Sequence, residues 1–162
     1  MTSEELNLVD FINQQKLSES LTIKEVQTFI DYTEVVVFSK GEVIADIGEV
    51  GEALYFVIDG VTALYYEDAG EETEVGKGSR GELMGEMSFF DREPRSVRIK
   101  AIADNTRLLK LSRKMYSRLR IEHPFIAVNL LEHAIVSLDH LFRQISSDVA
   151  TFSHMLYGKG KH

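Results

Sequence analysis

The first 32 residues carry apolar positions at helical spacing among polar ones. In residues 3–17 apolar side chains recur among polar residues with a helix-like period, and residues 18–32 give a second such stretch. The sequence therefore predicts two short N-terminal helices before any strand begins. The apolar positions that define them are Leu6, Val9, Phe11 and Ile12 in the first, and Leu21, Val26, Phe29 and Ile30 in the second.

From residue 35 the pattern changes to short apolar or alternating runs separated by turn residues. Asp59-Gly60 is typical of a two-residue hairpin, so the runs on either side of it are predicted to pair. Residues 68–71 form a second predicted hairpin tip. Many short strands at near-regular spacing indicate a sandwich or jelly roll. The predicted strands are residues 35–38, 43–44, 53–58, 61–66, 73–75, 95–103 and 106–111.

A long helix is predicted at the C-terminal end. Ser112 is placed as the N-cap of a short helix, and His123-Pro124 opens the next, with proline in the first turn. Neither Pro nor Gly interrupts the chain from there to Tyr157. Apolar residues then alternate at spacings of three and four, the signature of a coiled coil. We name this set the seam: Val128, Leu131, Ile135, Leu138, Phe142, Ile145, Val149, Phe152 and Leu156.

A second apolar stripe lies on the same helix and leaves two arrangements open. Ala127, Leu130, Ala134 and Leu141 could face the strand-rich part. The helix would then be amphipathic and pack on its own domain. The unbroken seam and the two-sided apolar character favour instead a dimer through the helix. The sequence thus divides into N-terminal helices (1–32), a jelly roll (33–122), a coiled-coil helix (123–157) and a tail (158–162).

Composition narrows the class of protein. The 162 residues are 44% hydrophobic and 27% charged, which is ordinary for a globular domain. A formal net charge of −8 argues against a dedicated nucleic-acid surface. The absence of cysteine excludes disulfides, thiolate nucleophiles and iron–sulfur clusters. With no signal peptide or bilayer-spanning run, we expect a cytoplasmic protein without membrane contact.

The stretch from Gly81 to Ala101, GELMGEMSFFDREPRSVRIKA, carries the candidate chemistry. Gly85 lets a ligand approach the backbone, and the amides that begin a short helix after it favour an anion. Arg95 supplies a planar, permanently charged fork that suits phosphate oxygens, and Ser96 adds a hydroxyl. Glu86 can accept a hydrogen bond from a ribose hydroxyl. An anion receptor beside a hydroxyl acceptor points to a nucleotide.

This stretch resembles the phosphate-binding cassette of the cyclic nucleotide-binding domain family. Met84-Gly85-Glu86, a short apolar helix and Pro94-Arg95-Ser96 match that family's pattern, and residues 41–60 resemble its upstream strands. The resemblance covers roughly residues 21–119. It implies a mainly β fold with flanking α-helices, a double-stranded β-helix (jelly roll), and a long C-terminal dimerisation helix. Gly51 and Gly60 are interpreted as turn glycines of this fold.

The resemblance also implies the binding residues. Two departures stand out: Val97 where alanine is usual, and Met87-Ser88 in place of a Leu/Ile-Ala pair. In the activators of this family, polar residues on the long helix contact adenine. Here the corresponding region is 140–143, where Leu141 or Phe142 could cover the base and His140 or Arg143 could reach it. The implied ligand residues are Met84, Gly85, Glu86, Met87, Ser88, Arg95, Ser96, Val97, Leu141 and Phe142.

Catalysis and metal binding are not indicated. His133 and His140 are seven residues apart, about 10 Å along a helix, too far to chelate one metal. Glu82, Glu86 and Asp91 could suggest a two-carboxylate hydrolase, but nearby Arg95 favours ligand binding. We therefore expect no enzyme activity, no metal and no cofactor other than the nucleotide ligand.

The expected function is a sensor that binds cAMP in preference to cGMP and signals through a helical homodimer. The open alternative is a jelly-roll interaction or scaffold protein whose ligand site is degenerate or altered. The helix-turn-helix that follows the long helix in the family's activators has no counterpart here, so no nucleic-acid contact by this chain is expected. Either the protein lacks an output domain or the chain is part of a longer one. An effector protein or a fused output domain would then receive the signal.

Overall fold

The computed structural model describes residues 3–157, and for residues 140, 141 and 144 it describes the backbone alone. The helices are α1 (Ser3–Asn13), α2 (Ile23–Asp31), α3 (Glu86–Asp91), α4 (Arg113–Glu122) and α5 (Pro124–Tyr157). The strands are β1 (Glu34–Phe38), β2 (Val43–Ala45), β3 (Ala53–Asp59), β4 (Thr62–Asp68), β5 (Glu71–Gly78), β6 (Leu83–Met84), β7 (Arg98–Ala101) and β8 (Thr106–Ser112). Two four-stranded antiparallel sheets form the centre of the fold, and helices from both ends of the chain pack on the sheet that contains β3 and β8.

The two sheets have the strand orders β1-β8-β3-β6 and β2-β7-β4-β5. Strand β3 is buried on both faces, because one face meets the second sheet and the other meets the helices. Leu54 and Phe56 pack with residues of α1 and α5, while Tyr55 and Val57 pack between the sheets. A strand covered on both sides has apolar residues in succession rather than in alternation. The mainly β jelly roll with flanking helices is confirmed.

The predicted hairpin at Asp59-Gly60 is wrong. Strand β3 pairs with β6 and β8, whereas β4 pairs with β5 and β7, so the chain crosses between sheets at this turn. Gly60 has φ of +87°, and a Cβ there would lie 2.5 Å from the Thr106 hydroxyl oxygen. The glycine is needed for this turn, as the sequence indicated, but an Asp-Gly pair does not specify which sheet the next strand joins.

The second predicted hairpin is confirmed. Strands β4 and β5 pair up to Asp68 and Glu71, with one register shift between Leu64 and Tyr65. Ala69 and Gly70, between them, both have positive φ, as a type I′ turn requires.

The N-terminal helices are shorter than predicted. Helix α1 ends at Asn13 and a 3₁₀ turn, Lys16–Ser18, follows it. The Ser18 hydroxyl donates to the carbonyls of Ile12 and Gln15, which satisfies carbonyls left at the helix end. Helix α2 begins at Ile23 because Thr22 and Glu25 form a capping box.

The C-terminal helices begin where the sequence predicts. The Ser112 hydroxyl accepts from the Met115 amide at the start of α4, and α5 extends unbroken from Pro124 to Tyr157. Ala127, Leu130 and Ala134 are buried against the core, which confirms that part of the second stripe; the Leu141 side chain and the tail 158–162 lie outside the described residues. No helix in the part of the chain that the structure describes is long and apolar enough to cross a membrane.

Candidate functional site

The cassette is a loop and one short helix held between the sheets and α5. Strand β6 pairs with β3, with Met84 opposite Tyr55, and the chain then turns at Gly85 into α3. After α3 the chain returns along residues 48–50. The Arg95 amide donates to the Glu49 carbonyl and the Gly48 amide to the Arg95 carbonyl, both at 2.8 Å. These bonds fix the backbone that carries Arg95.

Gly85 adopts a conformation that other residues avoid. Its φ is +85°, and a Cβ built there would lie 3.3 Å and 3.4 Å from the Arg95 Nη2 and Nη1 atoms. The backbone at Gly85 and the Arg95 guanidinium are therefore neighbours, although the two residues are ten positions apart in the sequence. Glycine allows both the positive φ and the close approach.

The amides at the start of α3 are available as donors. The Phe89 amide is the first to bond within this turn, to the Gly85 carbonyl at 3.3 Å. Within residues 3–157, no backbone carbonyl accepts from the Met87 or Ser88 amide. Unsatisfied amides at a helix start favour an anionic acceptor.

Arg95 is a buried cation without a partner among the residues that the structure describes. It is 8% exposed, yet its guanidinium makes no hydrogen bond or ion pair with any described group. Burial lowers the pKa of Arg95, while Tyr55, Glu49 and Glu86 act in the opposite direction. No described side-chain nitrogen is both sealed from solvent and unbonded, so the guanidinium nitrogens remain reachable. A desolvated, unpaired cation is costly, and an anionic ligand would offset that cost.

Glu86 is a buried anion in the same site. It is 8% exposed, and the Ser137 hydroxyl of α5 donates to its Oε1 atom at 3.2 Å. Burial raises the pKa of the Glu86 carboxyl, against its own backbone amide, Ser137 and Arg95, which lower it. No ion pair joins Glu86 to Arg95 in the described structure. The site thus holds two opposite charges that do not neutralise each other by contact.

The Ser88 side chain stabilises the backbone of the cassette. Its hydroxyl accepts from the Gly51 amide at 2.8 Å and donates to the Glu93 carbonyl at 2.6 Å. The side chain is therefore committed to the protein, and its backbone amide is the group available to a ligand.

Two supporting residues were not identified from the sequence. Gly51 is not a turn glycine as predicted; it is buried and lies directly against α3. Arg113 donates from Nη2 to the carbonyls of Gly51 and Phe89, and its guanidinium lies 4.5 Å from the centre of the Phe89 ring. Gly51 was one of several Gly-Glu pairs, and Arg113 lies on a helix 18 residues after Arg95, so neither had a local signal.

Replacing Gly51 with alanine should destabilise the cassette. A Cβ there would lie 2.6 Å from the Phe89 nitrogen and 2.8 Å from the Ser88 carbonyl carbon, both backbone atoms. We expect the free energy of unfolding to fall by about 1–3 kcal/mol, the usual cost of overpacking. The measurement is urea unfolding of Gly51→Ala beside Gly76→Ala, where the nearest atom is the flexible Leu64 Cδ1 at 3.3 Å. Equal losses in the two variants would contradict the assigned role of Gly51.

The remaining predicted residues flank the centre or lie away from it. Met84 is buried, Val97 is half-buried, and Met87 and Ser96 are exposed. Phe142 is 69% exposed and belongs to neither of the two buried hydrophobic clusters. The Leu141 side chain is outside the described structure. The structure therefore brings together Gly85, Glu86 and Arg95, and adds Ser137.

A metal centre has no support among the described residues, where no group of three or more His, Asp or Glu side chains converges. The binding chemistry is that of amides, one guanidinium and one carboxylate. This donor set suits an anion that carries a hydroxyl.

Comparison with known proteins identifies the family of this chain. The model of the cyclic nucleotide-binding domain family matches residues 35–123, more than half of the chain. The cyclic AMP receptor protein of Thermus thermophilus is 35% identical over 115 residues, which are 70% of this chain and 53% of that protein. A cAMP-dependent protein kinase regulatory subunit of Mycosarcoma maydis is 29% identical over 113 residues, 67% of this chain and 22% of that subunit. This chain therefore spans about half of one relative and a smaller share of the other.

A solved structure shows the same fold. A cyclic nucleotide-binding domain from Methylobacillus flagellatus superposes with a TM-score of 0.79 at 21% identity, covering 91% of this chain and 83% of the other. The chain belongs to the cyclic nucleotide-binding domain family.

Proposed function

We propose that this chain is a sensor module that binds one 3′,5′-cyclic nucleotide in the cassette and passes the signal through α5. The observation that carries the proposal is the pair of buried charges, Arg95 and Glu86, which make no ion pair with each other. Each is matched to a different part of a cyclic nucleotide. The cation suits the phosphate, and the carboxylate suits the ribose hydroxyl.

The proposed roles follow from the placement of the donors. Arg95 and the amides of Met87 and Ser88 bind the phosphate oxygens, with Gly85 permitting the close approach. Glu86 accepts from the ribose hydroxyl. Ser96 adds a hydroxyl beside the arginine, and Met84, Met87 and Val97 line the edge of the site. Leu141 or Phe142 would cover the base once α5 adjusts to the ligand.

For the base we propose a preference for cAMP over cGMP. The relatives' names support it, since they are a cyclic AMP receptor protein and a cAMP-dependent kinase subunit. The test is displacement of a fluorescent cyclic nucleotide by cAMP and by cGMP under matched conditions. A cGMP affinity ten times tighter than the cAMP affinity would overturn the preference.

We propose binding without turnover. The groups gathered in the cassette are suited to holding a phosphodiester, and the relatives named above are a receptor and a regulatory subunit. The ligand is then a signal and not a substrate, and we place the module in the cytoplasm, where such signals arise. An effector protein or a fused output domain would read the state of α5.

The alternative is a jelly-roll scaffold whose site has changed its ligand. The half-buried Val97, where the family commonly has alanine, favours it, because the added methyl groups narrow the edge of the site. Binding of neither cAMP nor cGMP by folded protein would select this alternative.

Replacing Glu86 with glutamine should stabilise the unliganded protein at neutral pH. Since burial raises the folded-state pKa of Glu86, the charged form carries a cost that is present above the folded pKa and absent below the ordinary value. Glutamine removes this charge and keeps an oxygen that can accept from Ser137. We expect a melting temperature about 2–4 °C higher at pH 7, a shift that roughly 1 kcal/mol produces in a domain of this size.

The gain should shrink as the pH falls towards 4, because the parent carboxyl then becomes protonated. The control is Glu71→Gln, on the exposed hairpin, which should change the melting temperature little at either pH. A lower melting temperature for Glu86→Gln at pH 7 would show that the carboxylate stabilises the unliganded fold.

A further inference from the structure

Ser137 on α5 is the described side chain that connects the long helix to the cassette acid. Its hydroxyl donates to the Glu86 Oε1 atom at 3.2 Å, which is long compared with the usual ~2.7–2.8 Å for a hydroxyl donor. The bond is therefore weak. It nonetheless crosses 51 positions of sequence, from the nucleotide-binding loop to the helix proposed to carry the signal.

The ribose of the proposed ligand has the same chemistry as this serine. In a 3′,5′-cyclic nucleotide the 3′ and 5′ oxygens belong to the phosphodiester ring, so the 2′-hydroxyl is the ribose donor that remains. Both hydroxyls need an acceptor, and in the proposed function that acceptor is Glu86. The inference therefore rests on the proposed function and adds its regulation.

Little of the Glu86 surface is available to a new donor. The residue is 8% exposed, its own backbone amide approaches the carboxylate, and Ser137 occupies Oε1. We propose that the Ser137 hydroxyl donates to Glu86 in the unliganded protein and that the ribose 2′-hydroxyl replaces it as the donor when the ligand binds. Ligand binding would then release α5 from the cassette at this point. Ser137 is thus a regulatory contact and not a ligand of the nucleotide.

After its release from Glu86, the Ser137 hydroxyl has another hydrogen-bond acceptor nearby. A serine inside a helix can donate to the carbonyl four residues earlier, here that of His133. The displaced hydroxyl therefore keeps a partner, and exchange of one donor for another changes the free energy little.

The position of Ser137 determines what is released. Ala127, Leu130 and Ala134 remain buried in the core, so the first part of α5 stays docked. Ser137 is the next described contact along the helix, directly before the seam residue Leu138. Breaking it would change how the distal half of α5, with the rest of the seam, sits relative to the cassette.

The test compares Ser137→Ala with the parent by calorimetric titration of 3′,5′-cyclic AMP and its 2′-deoxy analogue. Alanine removes the competing donor, so cyclic AMP should bind about two- to threefold tighter, the lower end of the range for one hydrogen bond, because the displaced serine hydroxyl regains part of that energy at the His133 carbonyl. The 2′-deoxy analogue, which cannot donate to Glu86, should not gain. Ser147→Ala, an exposed serine on the same helix, controls for the higher helix propensity of alanine and should match the parent.

A second readout is hydrogen exchange of α5 amides near residue 137. Unliganded Ser137→Ala should show lower protection of these amides than the unliganded parent, because the contact between α5 and Glu86 is missing. Weaker or unchanged binding of cyclic AMP by Ser137→Ala would overturn the competition, as would an equal gain for the 2′-deoxy analogue. If neither the parent nor the variant binds any cyclic nucleotide while folded, the proposed function fails and the inference fails with it.

Discussion

Replacing Arg95 with alanine should weaken binding of cyclic AMP by roughly 30-fold or more, because truncating one partner of a buried charge pair costs about 2–5 kcal/mol. The guanidinium is the described cation beside Gly85, at 3.3–3.4 Å from a Cβ position there. Without it the phosphate would face the α3 amides alone. The measurement is a titration of each folded variant with cyclic AMP.

The same variant separates a ligand residue from a structural one. Since the Arg95 guanidinium makes no bond with the described residues, unliganded Arg95→Ala should unfold within about 1 kcal/mol of the parent. Lys114→Ala, at an exposed cation on α4, is the matched control and should leave both binding and stability unchanged. An Arg95→Ala protein that binds as tightly as the parent would show that the phosphate is held elsewhere.

Placing aspartate in the seam should separate the proposed dimer. Ile145, Val149, Phe152 and Leu156 are each more than half exposed on α5, and the seam from Val128 to Leu156 is roughly 40 Å long. Such an apolar stripe indicates a binding surface, and a second copy of the same helix, parallel to the first, would cover it. Leu138→Asp with Ile145→Asp would bury charges in that interface. We expect the dissociation constant of the dimer to increase roughly a thousandfold or more.

The measurement is light scattering at micromolar concentration. Leu138 is half-buried, so a second variant, Ile145→Asp with Val149→Asp, changes residues that are exposed in the single chain and should not affect its folding. Ser147→Asp with Thr151→Asp adds the same charge off the seam and should remain dimeric. A parent that is monomeric would contradict the dimer. A folded seam variant that stays dimeric would show that the interface lies on the jelly roll or the N-terminal helices.

The parts of the fold that local chemistry specifies were predictable. The Ser112 cap, the start of α5 at Pro124 and the turn at Ala69-Gly70 each depend on residues within a few positions of one another. The Asp59-Gly60 turn shows the limit. Its residues specify a positive φ, but the choice of sheet for β4 depends on β7, more than 30 residues away.

The residues of the candidate site also fall into those that a local sequence pattern identifies and those that only the fold brings together. Gly85, Glu86 and Arg95 belong to one continuous stretch, so a spacing pattern could identify them. Gly51, Arg113 and Ser137 reach the cassette through the folding of the sheets and α5, and their types are common in any sequence. The burial of Glu86 and Arg95 without a mutual ion pair also depends on the folded structure. No sequence pattern contains it.

Calorimetric titration of the unaltered protein with 3′,5′-cyclic AMP tests the central claim most directly, with 5′-AMP as the ligand control. The two differ in the phosphate ring, which the cassette is proposed to recognise. We expect saturable binding of one cyclic AMP per chain and much weaker binding of 5′-AMP. The open phosphate of 5′-AMP carries more charge, and its ribose has a free 3′-hydroxyl. No saturable binding of cyclic AMP by folded protein, or equal affinity for 5′-AMP, would contradict the account.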